Sequence, residues 1–439
     1  MMQKPHQIYE YGYFVNEDTS TLDLDKLDEH GVVSLSKGTF EALERFVLEN
    51  CGGENGVSDL MGLSIRKNIG KVITVKNYVG TITMKDGTII EILPKICSKE
   101  QQSPEKVKQL LVDMLKSLRD LPFKTARTSK VDVAQMPLSE IFIRMFVDEV
   151  IAITKRGLRC GYVSVEDNEP VFKGKLLVSE HIRRNYAHKE RFYVNYDAFN
   201  TDRAENRLLK ATLQYLYRRT ESSKNKADIR TLLNAFGDIR ASENYKEDFA
   251  KIGTDRNMAD YRNALLWCKL FLTGKSFTSF SGSSVAFALL FPMETVYERY
   301  IADQLRRSLN ASALDFSAQD RTYHLFDAPF GAFLMKPDIV VTRKEDQAVF
   351  ICDTKWKLLD DTRSDLGITQ ADMYQMYAYH KKYGAQNVTL IYPLCSDLKD
   401  NQALEFVSQD GVTVKVRFVD LFHVQESLRS IAEGFTAKE

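Results

Sequence analysis

Two short apolar runs, Pro337-Asp338-Ile339-Val340-Val341 and Val349-Phe350-Ile351-Cys352-Asp353-Thr354-Lys355, constrain this chain more than any other feature. Both are apolar and rich in β-branched residues, and the charged turn between them predicts two adjacent strands. One run opens on an aspartate and the other closes on Asp-Thr-Lys. Residues two apart on a strand share a face, so Asp353 and Lys355 point the same way, and Asp338 can join them from the neighbouring strand. Two hard oxygen ligands suit a divalent cation that keeps several waters, polarises a phosphate and lowers the pKa of an attacking water. The lysine adds a compact positive charge where negative charge develops. Metal-dependent phosphodiester cleavage needs this arrangement, although polar residues also end many strands for structural reasons alone.

The next segment strengthens the chemical reading. Thr369 with Asp372 three residues on predicts a capping box that starts a helix through Tyr383. On that helix Asp372, Gln375 and Tyr379 fall on one face. Gln375 and Tyr379 could then fix a metal-bound water and a phosphate beside the strands. Tyr374, Tyr377 and Tyr383 are expected to pack or to lie at the surface.

The order Asp338, Asp353-x-Lys355, Gln375-x-x-x-Tyr379 and then Asn387-Val388-Thr389-Leu390-Ile391-Tyr392-Pro393 resembles the PD-(D/E)xK nuclease superfamily. Flanking phrases are similar to McrC, the nuclease subunit of McrBC modification-dependent restriction systems. They are Val79-Gly80-Thr81-Ile82, the run from Asp86 to Ile96, Lys155-Arg156-Gly157-Leu158, Phe172-Lys173-Gly174-Lys175-Leu176, and Leu290-Phe291-Pro292-Met293 leading to Tyr297-Glu298-Arg299-Tyr300. The resemblance spans roughly residues 70–395. It implies that Asp338 and Asp353 are acidic metal ligands, Lys355 the catalytic lysine, and Gln375 and Tyr379 accessory helix residues. Glu298 is a further ligand candidate, with a solvated helix charge as its plain alternative. The resemblance also implies Mg²⁺, with Mn²⁺ as a substitute, and double-stranded DNA as substrate. It implies a partner as well, a McrB-like hexameric AAA+ GTPase on which the N-terminal part docks. Gly80–Lys95 is the natural docking candidate, against the alternative of a hairpin that holds a small β-domain together. Pairing of nuclease domains between complexes is compatible with this reading.

A chain of 439 residues suggests two or three domains. The expected fold is mixed α/β and α+β. A β-rich N-terminal domain over residues 1–125 precedes a helical middle over 126–285. An α/β PD-(D/E)xK domain over 286–439 follows, with a mixed sheet flanked by helices. The apolar run from Val285 through Phe291 is far too short to span a membrane, and the first residues lack a secretory core, so a cytoplasmic protein is expected. Six scattered cysteines form no Cys-x-x-Cys pair and indicate neither zinc nor an iron–sulfur cluster. Gly274-Lys275-Ser276 looks like the end of a phosphate-binding loop, but Lys269 stands where the loop needs glycine, so no nucleotide site is expected in this chain.

Sixty basic residues balance sixty acidic ones, which argues against tight DNA binding through bulk charge and suits a nuclease delivered by a partner. The segment Val171–Arg230 is locally basic, with Arg183-Arg184, Arg203, Arg207, Lys210 and Arg218-Arg219. It could line a nucleic-acid path or form a solvated helical face. The reading that follows is a Mg²⁺-dependent DNA endonuclease subunit. Its alternatives are a stand-alone repair nuclease and a non-catalytic adaptor that activates a motor.

Overall fold

The computed structural model describes residues 5–18, 31–49, 60–67, 69–96, 103–118, 136–253, 258–273, 285–309, 311–359, 364–394 and 404–436. The chain folds into two compact units: the middle, from Ser139 to Lys275, and a second unit that joins the segments before and after it. The expected sequence boundaries near 125 and 285 therefore flank one unit, while the first and last thirds cluster together.

Strand pairing explains that clustering. Tyr78–Met84 pairs antiparallel with Ile89–Leu93 on one side and with Val285–Pro292 on the other, and His6–Tyr9 lies parallel to Ile89–Leu93. At Gly80 the approach of Val285–Pro292 is so close that a β-carbon would stand 2.0 Å from the Leu289 carbonyl oxygen, and the backbone there has φ +138°. Only glycine tolerates both conditions. We therefore expect Gly80→Ala to cost about 2–4 kcal/mol through overpacking and backbone strain. Chemical denaturation reads this directly, and an unchanged unfolding midpoint would contradict it.

Both strands within Gly80–Lys95 are almost wholly buried, which leaves the turn around Lys85-Asp86 as the accessible part. The segment serves the core of the sheet. A second sheet, in the order Val32–Leu35, Tyr13–Asn16, Gly70–Val75, Met61–Arg66, is covered by the helix Lys37–Glu49, which buries Phe40, Leu43, Phe46 and Val47. Their three- and four-residue spacing is that of an amphipathic helix packed on a sheet.

The last third builds a mixed six-stranded sheet in the order Leu314–Ala318, Ile339–Arg343, Val349–Thr354, Asn387–Pro393, Thr413–Val419, Leu404–Val407. The two central pairings are parallel and the outer three antiparallel. All seven residues of Asn387–Pro393 are buried, as expected for a strand covered on both faces. The helix Gln370–Tyr383 buries Met376 and Tyr379 in one cluster with Ile351, Val388 and Leu390. Phe350 and Cys352 alternate with Ile351 and so face the other side, where Phe350 packs on Phe435 at 5.3 Å.

The middle unit holds the helices Leu138–Arg156, Ala204–Tyr217, Ser223–Ala235, Tyr245–Ala250 and Ala259–Thr273; three- and four-residue apolar spacing marks the first, second and last of them in the sequence. It also carries a three-stranded sheet that was not expected, Gly161–Glu169 with Phe192–Asn200 and Lys175–Leu176. The basic segment is largely committed within its own unit. Arg207 grips Asp202 through two hydrogen bonds, Lys210 donates to the carbonyls of Gly237 and Ile239, and Arg203 pairs with Glu205. Arg183 and Arg184 share Glu180 at the surface. No helix among the described residues is long and apolar enough to cross a membrane. Gly274-Lys275-Ser276 lies outside the described residues.

Candidate active site

The ladder that joins Ile339–Arg343 to Val349–Thr354 sets Ile339 opposite Cys352. Continued by one residue, it sets Asp338 opposite Asp353. Asp338 Oδ2 accepts hydrogen bonds from both the backbone N–H and the hydroxyl of Thr354, each at 2.7 Å. One threonine thus locks the carboxylate to the neighbouring strand, a role its place in Asp-Thr-Lys did not announce.

Asp353 is 2% exposed, and its Oδ2 lies 2.6 Å from the Lys355 ammonium. Oδ2 is buried, and the Lys355 ammonium is its close partner among the described residues. The Lys355 ammonium donates to Gln375 Oε1 at 3.1 Å and stands 3.9 Å from Asp372 Oδ1. Gln375 in turn donates from Nε2 to the Tyr379 hydroxyl at 2.8 Å. The capping box at Thr369 and Asp372 forms as the sequence predicts, and it fixes the helix start from which these side chains project. Asp372 therefore serves twice, as cap and as a distant counter-charge to Lys355.

Glu298, on the helix Met293–Ser308, accepts a hydrogen bond from Gln319 Nε2 at 2.9 Å. Gln319 is itself tied to the site, because its backbone N–H donates to the Asp338 carbonyl. The structure thus brings all six sequence candidates into one neighbourhood. Gln319 and Thr354 carried no local sequence signal, whereas the shared helix face already set Asp372 beside Gln375 and Tyr379. Tyr374 is exposed, Tyr377 pairs with Asp410, and Tyr383 donates to Asp320.

Electrostatics show a site short of positive charge. Burial, and then the Asp338 carboxylate, push Asp353 up to about 7. The same two causes raise Glu298 to about 7. Burial also raises Asp338, against the two Thr354 hydrogen bonds. Burial opposes the Lys355 ammonium, but Asp353, Asp338 and Asp372 together outweigh it and hold its pKa above the ordinary value. Tyr379 is pushed up to about 12 by burial and by Asp353, so its hydroxyl stays protonated while it accepts from Gln375.

Among the described residues no three His, Cys, Asp or Glu side chains meet closely enough to cage an ion by themselves. The residues do fit a magnesium-type ion, which takes one or two protein carboxylates and fills its remaining positions with water and substrate oxygens. The buried Oδ2 of Asp353, which meets only the Lys355 ammonium among the described residues, and three carboxyls raised by burial around that one lysine are the features such an ion would satisfy.

A family model described as McrBC 5-methylcytosine restriction system component matches residues 73–393. No curated protein matches the chain. Among solved structures the chain is similar to one from the refined half-complex of the tetradecameric assembly of Thermococcus gammatolerans McrB AAA+ hexamers with bound McrC. The identity is 19% and the TM-score 0.66, over 99% of this chain and 100% of that one. The cryo-EM structure of the Thermococcus gammatolerans McrBC complex aligns at 23% identity and a TM-score of 0.44, over 70% of this chain and 88% of that chain.

Proposed function

The chain belongs to the McrBC family of restriction-system components, and from that premise we propose that it is the nuclease subunit. In this reading it is a Mg²⁺-dependent endonuclease that cuts foreign, modified double-stranded DNA. An AAA+ GTPase of the McrB kind drives it, and it stimulates GTP hydrolysis by that partner. The observation that carries the reading is the convergence of Asp338, Asp353 and Lys355 on one side of the sheet edge, braced by Gln375 and Tyr379.

Asp338 and Asp353 would hold the ion, with Glu298 close enough in charge to take part. Bound magnesium, or manganese in its place, supplies Lewis acidity and a water of lowered pKa. Lys355 sets its ammonium against the phosphate oxygens as negative charge builds. Gln375 and Asp372 hold the lysine chain at a fixed reach, and Tyr379 orients Gln375. The similar structure from Thermococcus gammatolerans is described as McrB AAA+ hexamers with bound McrC, and the zero net charge of this chain suits DNA delivered by such a partner.

The test combines calorimetric titration of Mg²⁺ with cleavage of modified DNA in the presence of the partner, GTP and Mg²⁺. Wild-type protein is expected to bind Mg²⁺ and cut, and Asp338→Ala to lose both. No binding and no cleavage by the wild type would leave only an adaptor role. Cleavage that needs neither GTP nor a partner would point to a stand-alone nuclease.

A further inference from the structure

We propose that Glu10 is a positioning residue for the hydrolytic site: it holds Trp356, and through it the strand exit that carries Lys355. This inference rests on the nuclease reading above. Glu10 follows the strand His6–Tyr9, has no exposed surface, and is fixed to the sheet by its backbone N–H, which donates to the Leu93 carbonyl. Its carboxyl oxygens accept the Trp356 indole N–H at 3.1 and 3.2 Å and the Lys95 backbone N–H at 3.0 Å. The contact joins residues 346 apart in sequence, and Glu10 lies outside the residues that match the family.

Trp356 directly follows Lys355, and it does so where the sheet stops restraining the chain. The strand ends at Thr354, and the backbone N–H of Lys355 makes the final contact, to the Ile391 carbonyl. The buried indole packs 5.2 Å from the ring of Tyr297, the neighbour of Glu298. The Glu10–Trp356 bond thus fixes one point between Lys355 and Glu298. A reacting group displaced by about 1 Å can lose orders of magnitude in rate, which makes the strand exit a sensitive place. Burial, with Glu294 adding to it, pushes the Glu10 carboxyl up to about 8. A buried carboxyl costs stability unless its hydrogen bonds compensate, so its presence here needs a reason.

Single-turnover cleavage at saturating DNA, with the partner GTPase, GTP and Mg²⁺, tests the assignment. Trp356→Phe keeps a ring against Tyr297 but removes the N–H. It is expected to slow cleavage about 10-fold while half-saturation by DNA and stimulation of the GTPase stay at wild-type values. Glu10→Ala should match it, and Glu10→Gln, which keeps an acceptor, should recover to within about 3-fold of wild type. Because both residues act through one contact, the double variant Glu10→Ala/Trp356→Phe should be no slower than the slower single one. Normal cleavage by both single variants would overturn the proposal. So would multiplied losses in the double variant, or loss of DNA binding and GTPase stimulation in step with cleavage. Wild-type protein that does not cut would overturn the nuclease reading and this inference with it, whereas cutting by wild type and both variants alike would overturn this inference alone.

Discussion

Lys355→Ala is expected to lower DNA cleavage on the order of 10³-fold while the variant still assembles with its partner and still stimulates GTP hydrolysis. The lysine is bonded into the cluster, 2.6 Å from Asp353 and 3.1 Å from Gln375, so its removal takes away the positive charge that faces developing negative charge. It does not strip the core, because the ammonium is partly solvated and the alanine leaves room for water. Lys355→Arg is not expected to rescue: a planar fork cannot take the place of a point charge in a slot bounded by Asp353, Gln375 and Asp372. The discriminating measurement pairs the cleavage rate with the GTPase rate on the same preparation. If both fall together, the division between a cutting site and a motor-activating surface is wrong.

The sequence was most legible where local chemistry and long-range packing demanded the same residues. Short continuous apolar runs marked the strands around Asp338 and Asp353, and Thr369 with Asp372 marked the helix that carries Gln375 and Tyr379, because a capping box is a contact between near neighbours. The sheet in the middle unit escaped notice for the opposite reason. Gly161–Glu169 and Phe192–Asn200 alternate at period two, but they carry many polar residues and leave Tyr162 and Phe199 exposed, while the flanking helical patterns are strong. Gly80 was legible as part of a motif but not as a steric necessity, since the strand that crowds it lies some two hundred residues away. The link between Glu10 and Trp356 had no sequence signal at all: a glutamate after a short strand is ordinary until the fold buries it against an indole. Contacts of that separation are set by topology, and a single sequence displays only the local terms.

Replacing Asp353 by asparagine should make the metal-free protein more stable at pH 8 even as it abolishes cleavage. An unfolded aspartate titrates near 3.9, whereas in the fold burial and Asp338 push Asp353 up to about 7. Below about pH 4 both states hold the proton and the site carries no charge penalty. As pH rises from there, the unfolded chain ionises first, so the folded state loses stability until about pH 7, above which the full cost is present. A shift of about three units corresponds to roughly 4 kcal/mol at most, and relaxation within the coupled cluster reduces it to about 2–4 kcal/mol. The chelator-treated Asp353→Asn variant should therefore melt about 5 °C or more above wild type at pH 8, with the gap reduced to roughly a third of that at pH 5. Added Mg²⁺ should raise the wild-type midpoint and leave that of the variant unmoved, because an ion that binds only the native carboxylates stabilises by mass action. An equal difference at both pH values would mean that the asparagine acts through packing, and a lower midpoint at pH 8 would show that the carboxylates are already neutralised without a metal. The expected pattern describes a site in which ionised carboxylates are held together at a cost to the fold, to be relieved by the ion that the chemistry uses.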